Sequence, residues 1–173
     1  MIIQGGQEMG RYYLGNLREW SEALVKLEKL KERGLITEAQ DELIRVLQYR
    51  KNWKLVETVL EYSADITTPL PQLVDEIFNI IIDYNAQIET RIIAVHVMGS
   101  LLVDNIKEKD NVPSERERFY VNMMQRLVAT PQPTAIKQAI SETLKKIGVM
   151  NQETGDFGAG TGNKENLHTP GGA

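Results

Sequence analysis

The feature that most constrains this chain is a series of amphipathic periodicities, each interrupted by proline, glycine or a capping pattern. Leu17, Trp20, Leu24, Leu27 and Leu30 recur at spacings of three and four, while Glu22, Lys26, Lys29 and Arg33 fall elsewhere around the same helix. This predicts a first helix from Leu14 to Arg33, with Gly34 in the position that favours left-handed backbone after the last turn. Thr37 and Gln40 have the spacing of a capping box for a second helix, which runs to about Arg50 with Leu43, Ile44, Val46 and Leu47 inward. Lys51 and Asn52 separate it from a third helix, Asn52 to Ile66, with Trp53, Val56, Leu60 and Ala64 on one face.

Thr67, Thr68, Pro69 and Pro71 form a clear break, because proline lacks a backbone donor and biases the residue before it away from helical geometry. A fourth helix follows, with Leu70, Leu73, Val74, Ile77, Ile81 and Tyr84 on one stripe that Phe78, Ile80 and Ile82 widen. Its β-branched residues favour sheets, but the segment is long between breakers and has no period of two. A fifth helix, Ile88 to Ile106, is apolar on nearly every side. Ser114 and Glu117 form a second capping-box pattern ahead of a sixth helix, which Pro131 and Pro133 end. Ile136, Ala139, Ile140, Leu144 and Ile147 define a seventh, with Gly148 as its stop.

The expected fold is therefore all-α, about seven helices stacked as antiparallel pairs, with Ile77, Ile81, Ile92, Val95, Leu102 and Leu144 in one core. A length of 173 residues fits one domain or a small repeat array. The expected divisions are a flexible N-terminus over 1–13, a single helical domain over 14–150, and a disordered tail over 151–173, which has six glycines among 23 residues.

The chemistry of the chain excludes several functions. Twenty basic against 24 acidic residues give a net charge of -4, the wrong sign for coating nucleic acid or an anionic membrane. With no cysteine there is no thiolate nucleophile and no Cys-ligated zinc. Phosphate-binding glycine loops, nucleophile elbows and calcium loops are absent from the sequence. The two histidines, His96 in an apolar helix and His168 near the C-terminus, do not make a metal set. No catalytic residue, cofactor or metal is therefore expected. Met1 to Gly10 has no signal-peptide pattern, and Ile2 excludes N-myristoylation. The most apolar stretch, Ile92 to Val103, is 12 residues long, whereas a membrane span needs about 20. A cytoplasmic protein without membrane contact is the expectation.

The segment Glu89 to Leu101, in which basic Arg91 precedes alternating small and aliphatic positions ending in Gly99-Ser100-Leu101, resembles the second helix of a HEAT repeat. Thr134 to Gly148 is similar, with Lys137 in the place of Arg91. Trp53, Arg91 and Lys137, taken as equivalent points, are 38 and 46 residues apart, near the roughly 40 to 47 of HEAT and armadillo units. The resemblance covers roughly Thr37 to Val149 and implies an α-solenoid or right-handed superhelix with a binding groove. Leu27 to Gln40 also resembles the SHOCT oligomerisation hairpin, with Ala39 and Gln40 where that hairpin carries an acidic pair. Lys164-Glu165-Asn166, followed by Pro170, is similar to the KEN degron read by the anaphase-promoting complex.

The leading functional expectation is a non-enzymatic protein-binding scaffold, with a protein partner or a second copy docking on Tyr12, Tyr13, Leu17, Trp20 and Leu24. These residues give the first helix more apolar area than a peripheral helix needs. The alternatives are a nucleic-acid adaptor using Arg116, Arg118, Arg126, Lys137, Lys145 and Lys146, or an enzyme of the HEAT-like bilin lyase or alkylpurine DNA glycosylase type. The glycosylase reading needs a basic groove with aromatics, which net -4 and 6% aromatic content disfavour. Thr67 to Asn105 carries net -4 and Ile106 to Met150 net +3, a polarity suited to steering a partner or to self-association.

Overall fold

The computed structural model describes residues 13–109 and 112–153. The expected flexible N-terminus other than Tyr13, the expected tail beyond residue 153 and the KEN-like triplet lie outside the described residues. Seven helices and no strands occur among the described residues: α1 Trp20–Glu32, α2 Gln40–Tyr49, α3 Trp53–Ser63, α4 Pro71–Ile82, α5 Ile88–Glu108, α6 Glu115–Ala129 and α7 Thr134–Glu153. None of them is long and apolar enough to cross a membrane.

The first helix starts later than its periodicity suggests. Residues 14–19 form turns that lie on α2: Leu14 N–H donates to the Glu42 carboxylate at 3.0 Å, and the Gly15 carbonyl accepts from Arg45 at 2.9 Å. Gly15 has φ +70°, a conformation natural to glycine. Leu14 and Leu17 are buried in the core, so in Leu17 the periodicity marked a buried residue that is not helical. At the other end of α1, Gly34 has φ +67° and its N–H bonds the Lys31 carbonyl, while Leu35 N–H bonds the Leu30 carbonyl at 2.8 Å. This is a Schellman stop, in which a left-handed residue lets the chain satisfy the last carbonyls of the helix.

The two capping-box patterns have different outcomes. Ser114 accepts from Glu117 N–H and the Glu117 carboxylate accepts from Ser114 N–H, so the box at α6 forms. At α2 it does not: the helix begins at Gln40 with Ala39 as N-cap and no side-chain cap bond. The Gln40 side chain donates to the Thr37 carbonyl and also reaches the connection between α3 and α4, donating to the Thr68 carbonyl and accepting from Leu70 N–H at 2.6 Å. Asn52 proves a stronger start signal than its surroundings suggested, accepting from Leu55 N–H at 2.9 Å after Arg50 has taken a left-handed φ of 45°. Gly148 is no stop, since α7 passes through it to Glu153.

The extensive helix–helix contacts form a ladder. One row runs α1 to α3 to α5 to α7, and α2 contacts α4 in a second row. The rows are joined where α2 meets α3, α4 meets α5 and α6 meets α7. Between α4 and α6, Asp75 accepts from the Tyr120 hydroxyl and pairs with Arg116, while the Phe78 and Tyr120 rings lie 5.4 Å apart. Of the six residues expected in the core, Ile77, Ile81, Val95 and Leu102 are buried, and Ile92 and Leu144 are half-buried against it.

Arg91 is 2% exposed and acts as a clamp. Its Nε donates to the Ile81 carbonyl at 2.9 Å, satisfying one of the last carbonyls of α4. Another guanidinium nitrogen donates to the Gln132 side chain at 2.7 Å, and the guanidinium lies 5.2 Å from the Tyr84 ring centroid. One side chain thus joins the end of α4, the connection that follows it, and the connection between α6 and α7.

Candidate protein-binding surface

The odd-numbered helices begin toward the same end of the molecule. Lys31, near the end of α1, pairs with Asp65 just past α3 and lies 5.1 Å from the Tyr62 ring centroid. The Thr90 hydroxyl in the first turn of α5 donates to Glu57, in the first half of α3, at 2.9 Å. These ties bring the starts of α1, α3 and α5 to one edge, and Trp20, Trp53 and Ile88 are the first residues of those helices.

Position in the first turn explains their exposure. Trp20 lines up with Ala23, Leu24 and Leu27, and Trp53 with Val56 and Leu60, so periodicity directs both indoles to the core side. Helical side chains lean toward the N-terminus, and a first-turn residue has no preceding turn of its own helix to cover it, which leaves both rings open to solvent. Trp20 is 45% exposed and Trp53 is 56% exposed. The inward placement expected for Trp53 is therefore corrected. Tyr84 was expected on the buried stripe of α4, but α4 ends at Ile82 and Tyr84 stands in the following connection, 63% exposed. Its hydroxyl accepts from Gln132 at 2.6 Å, and Ile88 beside it is 41% exposed.

The segment 16–18 and the second half of α2 border an open recess of about 410 Å³ lined by Asn16, Leu17, Arg18, Arg45, Gln48 and Tyr49. The surface expected on the first helix is accordingly divided. Tyr13 and Trp20 are exposed, Leu24 is half-buried, Leu17 is 5% exposed and belongs to the core, and Tyr12 lies outside the described residues. The structure adds Trp53, Tyr84 and Ile88, and the one signal in the sequence that could have found the second tryptophan is its place directly after the Asn52 cap.

The candidate basic residues do not form one surface. Arg116 pairs with Asp75 and donates to the Tyr120 hydroxyl at 3.1 Å, so it is committed within the fold. Arg118 and Arg126 are exposed on α6, about 80° apart around the helix. On α7, Lys145 and Lys146 point about 80° and about 180° around the helix from half-buried Lys137. Besides Asp75, two more acidic residues of the expected negative layer are engaged: Arg50 pairs with Asp83 at 3.1 Å and Glu76 at 3.5 Å, which ties the end of α2 to α4.

Compared with models of known protein families, with curated proteins and with solved structures, the chain matches none of them.

Proposed function

We propose that this protein is a non-enzymatic protein-binding module of the cytoplasm, a HEAT- or armadillo-like stack that docks a partner protein, or a second copy of itself, across Trp20 and Trp53. The observation that carries the reading is the exposure of both tryptophans toward one edge of the helix ladder. Tryptophan is enriched at the energetic centres of protein interfaces, and large exposed apolar groups in company mark interaction sites more often than isolated ones do. Tyr84 and Ile88 extend the edge, and the open recess between residues 16–18 and the second half of α2 offers a partner side chain a place to enter.

The test compares the full chain with a Trp20→Glu, Trp53→Glu double variant, by sedimentation and by capture from the native cell. The expected result is one stoichiometric protein partner, or a dimer, that the double variant loses while its circular dichroism is unchanged. A monomer that captures nothing, or a double variant that holds the same partner, overturns the reading.

A further inference from the structure

A second recess lies where the end of α5 meets α6 and α7, toward the end of the odd-numbered helices opposite to Trp20 and Trp53. It measures about 140 Å³, with Ile106, Pro113, Val121 and Ile147 as its apolar wall and Arg118 and Asn122 as its polar side. Small-molecule pockets run to about 300–1,000 Å³, so this volume suits a single apolar side chain.

The cation beside it is exposed. Arg116 pairs with Asp75 and Lys109 pairs with buried Glu117, but Arg118 is exposed and its guanidinium, among the described residues, makes no hydrogen bond or ion pair. A guanidinium in that position presents a planar fork of donors that matches a carboxylate. Arg126, about two turns further along α6 and about 80° around it, is a second exposed cation, about 12 Å along the helix axis.

We infer that this recess is a docking socket for a short acidic segment of a partner protein, taking one apolar side chain against Ile106, Val121 and Ile147 and a neighbouring carboxylate on Arg118. The Asn122 side chain is placed at the same side to hydrogen-bond the backbone of the incoming segment. The wall favours a peptide over a single-stranded nucleic acid, because a base needs an aromatic platform and a backbone needs a longer track of cations. Phe119, the exposed aromatic of α6, packs edge-on against Tyr120 with centroids 5.5 Å apart and does not line the recess.

The test is an amide NMR titration of the full chain with the capped peptide Ser-Asp-Phe-Asp-Ser. The expected result is saturable shifts centred on Ile106, Val121, Asn122 and Ile147, with affinity reduced by about fivefold in Arg118→Gln, the loss that one exposed charge-assisted contact predicts. Replacing the peptide phenylalanine by alanine, or its aspartates by lysine, should abolish the shifts. Arg118 is exposed, so its replacement leaves the fold intact. The proposal is overturned by an absence of saturable shifts, by equal affinity in Arg118→Gln, or by shifts of the same amides with a single-stranded oligonucleotide and not with the peptide. It is also overturned if the peptide binds only after residues 154–173 are removed, which would make the occupant a part of this chain.

Discussion

Gly99 of α5 approaches Thr143 of α7 so closely that a methyl group placed on Gly99 would meet Thr143 Cγ2 at 2.6 Å. Thr143 is β-branched, buried and stiff at χ1, so it cannot swing aside cheaply. Gly148, in the same α7, has nothing within 4 Å of such a methyl group. Two helical glycines therefore have opposite meanings, one set by packing and the other carrying only the entropic cost of glycine in a helix.

Gly99→Ala should lower stability, because overpacking costs about 1–3 kcal/mol and the better helix propensity of alanine returns at most about 1 kcal/mol. Adding Thr143→Ser, which removes the offending methyl, should recover part of the loss. Gly148→Ala should raise stability by about 0.5–1 kcal/mol. Urea unfolding of the four proteins checks the signs, and a stabilising Gly99→Ala would show that α5 and α7 adjust freely.

Arg91→Lys should be costly despite keeping the charge. Lysine cannot reproduce the fork that spans the Ile81 carbonyl and the Gln132 side chain, and hydrogen bonds from charged groups are each worth about 1.5–3 kcal/mol. A thermal midpoint within error of the wild type would remove Arg91 from its role as clamp.

Two groups around α6 give stability a dependence on pH at both extremes. Burial pushes the Glu117 carboxyl up, but hydrogen bonds from Lys109 and Ser114 outweigh it and hold the group below its ordinary value of 4.5. That contribution is complete above the unfolded glutamate pKa and disappears as pH falls through the lower folded value. Burial and the hydrogen bond to Asp75 raise the Tyr120 hydroxyl to about 12. Its contribution is complete below pH 10 and is lost as pH rises through about 12. Denaturant midpoints measured from pH 2 to 12 should show a loss on the acid side that Glu117→Gln diminishes and a loss on the alkaline side that Tyr120→Phe diminishes.

Leu17 and Trp20 should separate cleanly. Leu17→Ala removes a buried side chain and should cost about 2–5 kcal/mol, whereas Trp20→Glu changes an exposed ring and should stay within about 1 kcal/mol. Equal and large effects in thermal unfolding would place Trp20 in the core and leave it unavailable to a partner.

These residues also show what was legible in the sequence. Helix number and type were readable because breaks such as Pro69 to Pro71 and Gly34 act locally, through dihedral angles and missing donors. The Ser114–Glu117 box was readable for the same reason. The identical pattern at Thr37–Gln40 misled, because Gln40 is claimed by Thr68 and Leu70, residues 28 and 30 positions away, and no local rule sees that competition. Periodicity located Leu17 as buried but could not say that Glu42 and Arg45 hold its segment in turns. For Trp53, the pattern gave the face correctly and the exposure wrongly, since a face is a property of angle and exposure depends on height along the helix. The edge formed by Trp20, Trp53 and Tyr84 depends on which helices run side by side, information that exists only once the ladder has assembled.

The rungs of that ladder have a consequence for how the chain reaches its native state. Among the described residues, every extensive contact joins helices one or two apart in order, so no step requires α1 and α7 to meet. Loop-closure entropy is met in small instalments, and folding speed follows the locality of contacts rather than the full length. Assembly started at α4 and α5 can spread outward in both directions, one helix at a time. Loosening at either end then stays at that end, with the middle of the molecule the last part to open.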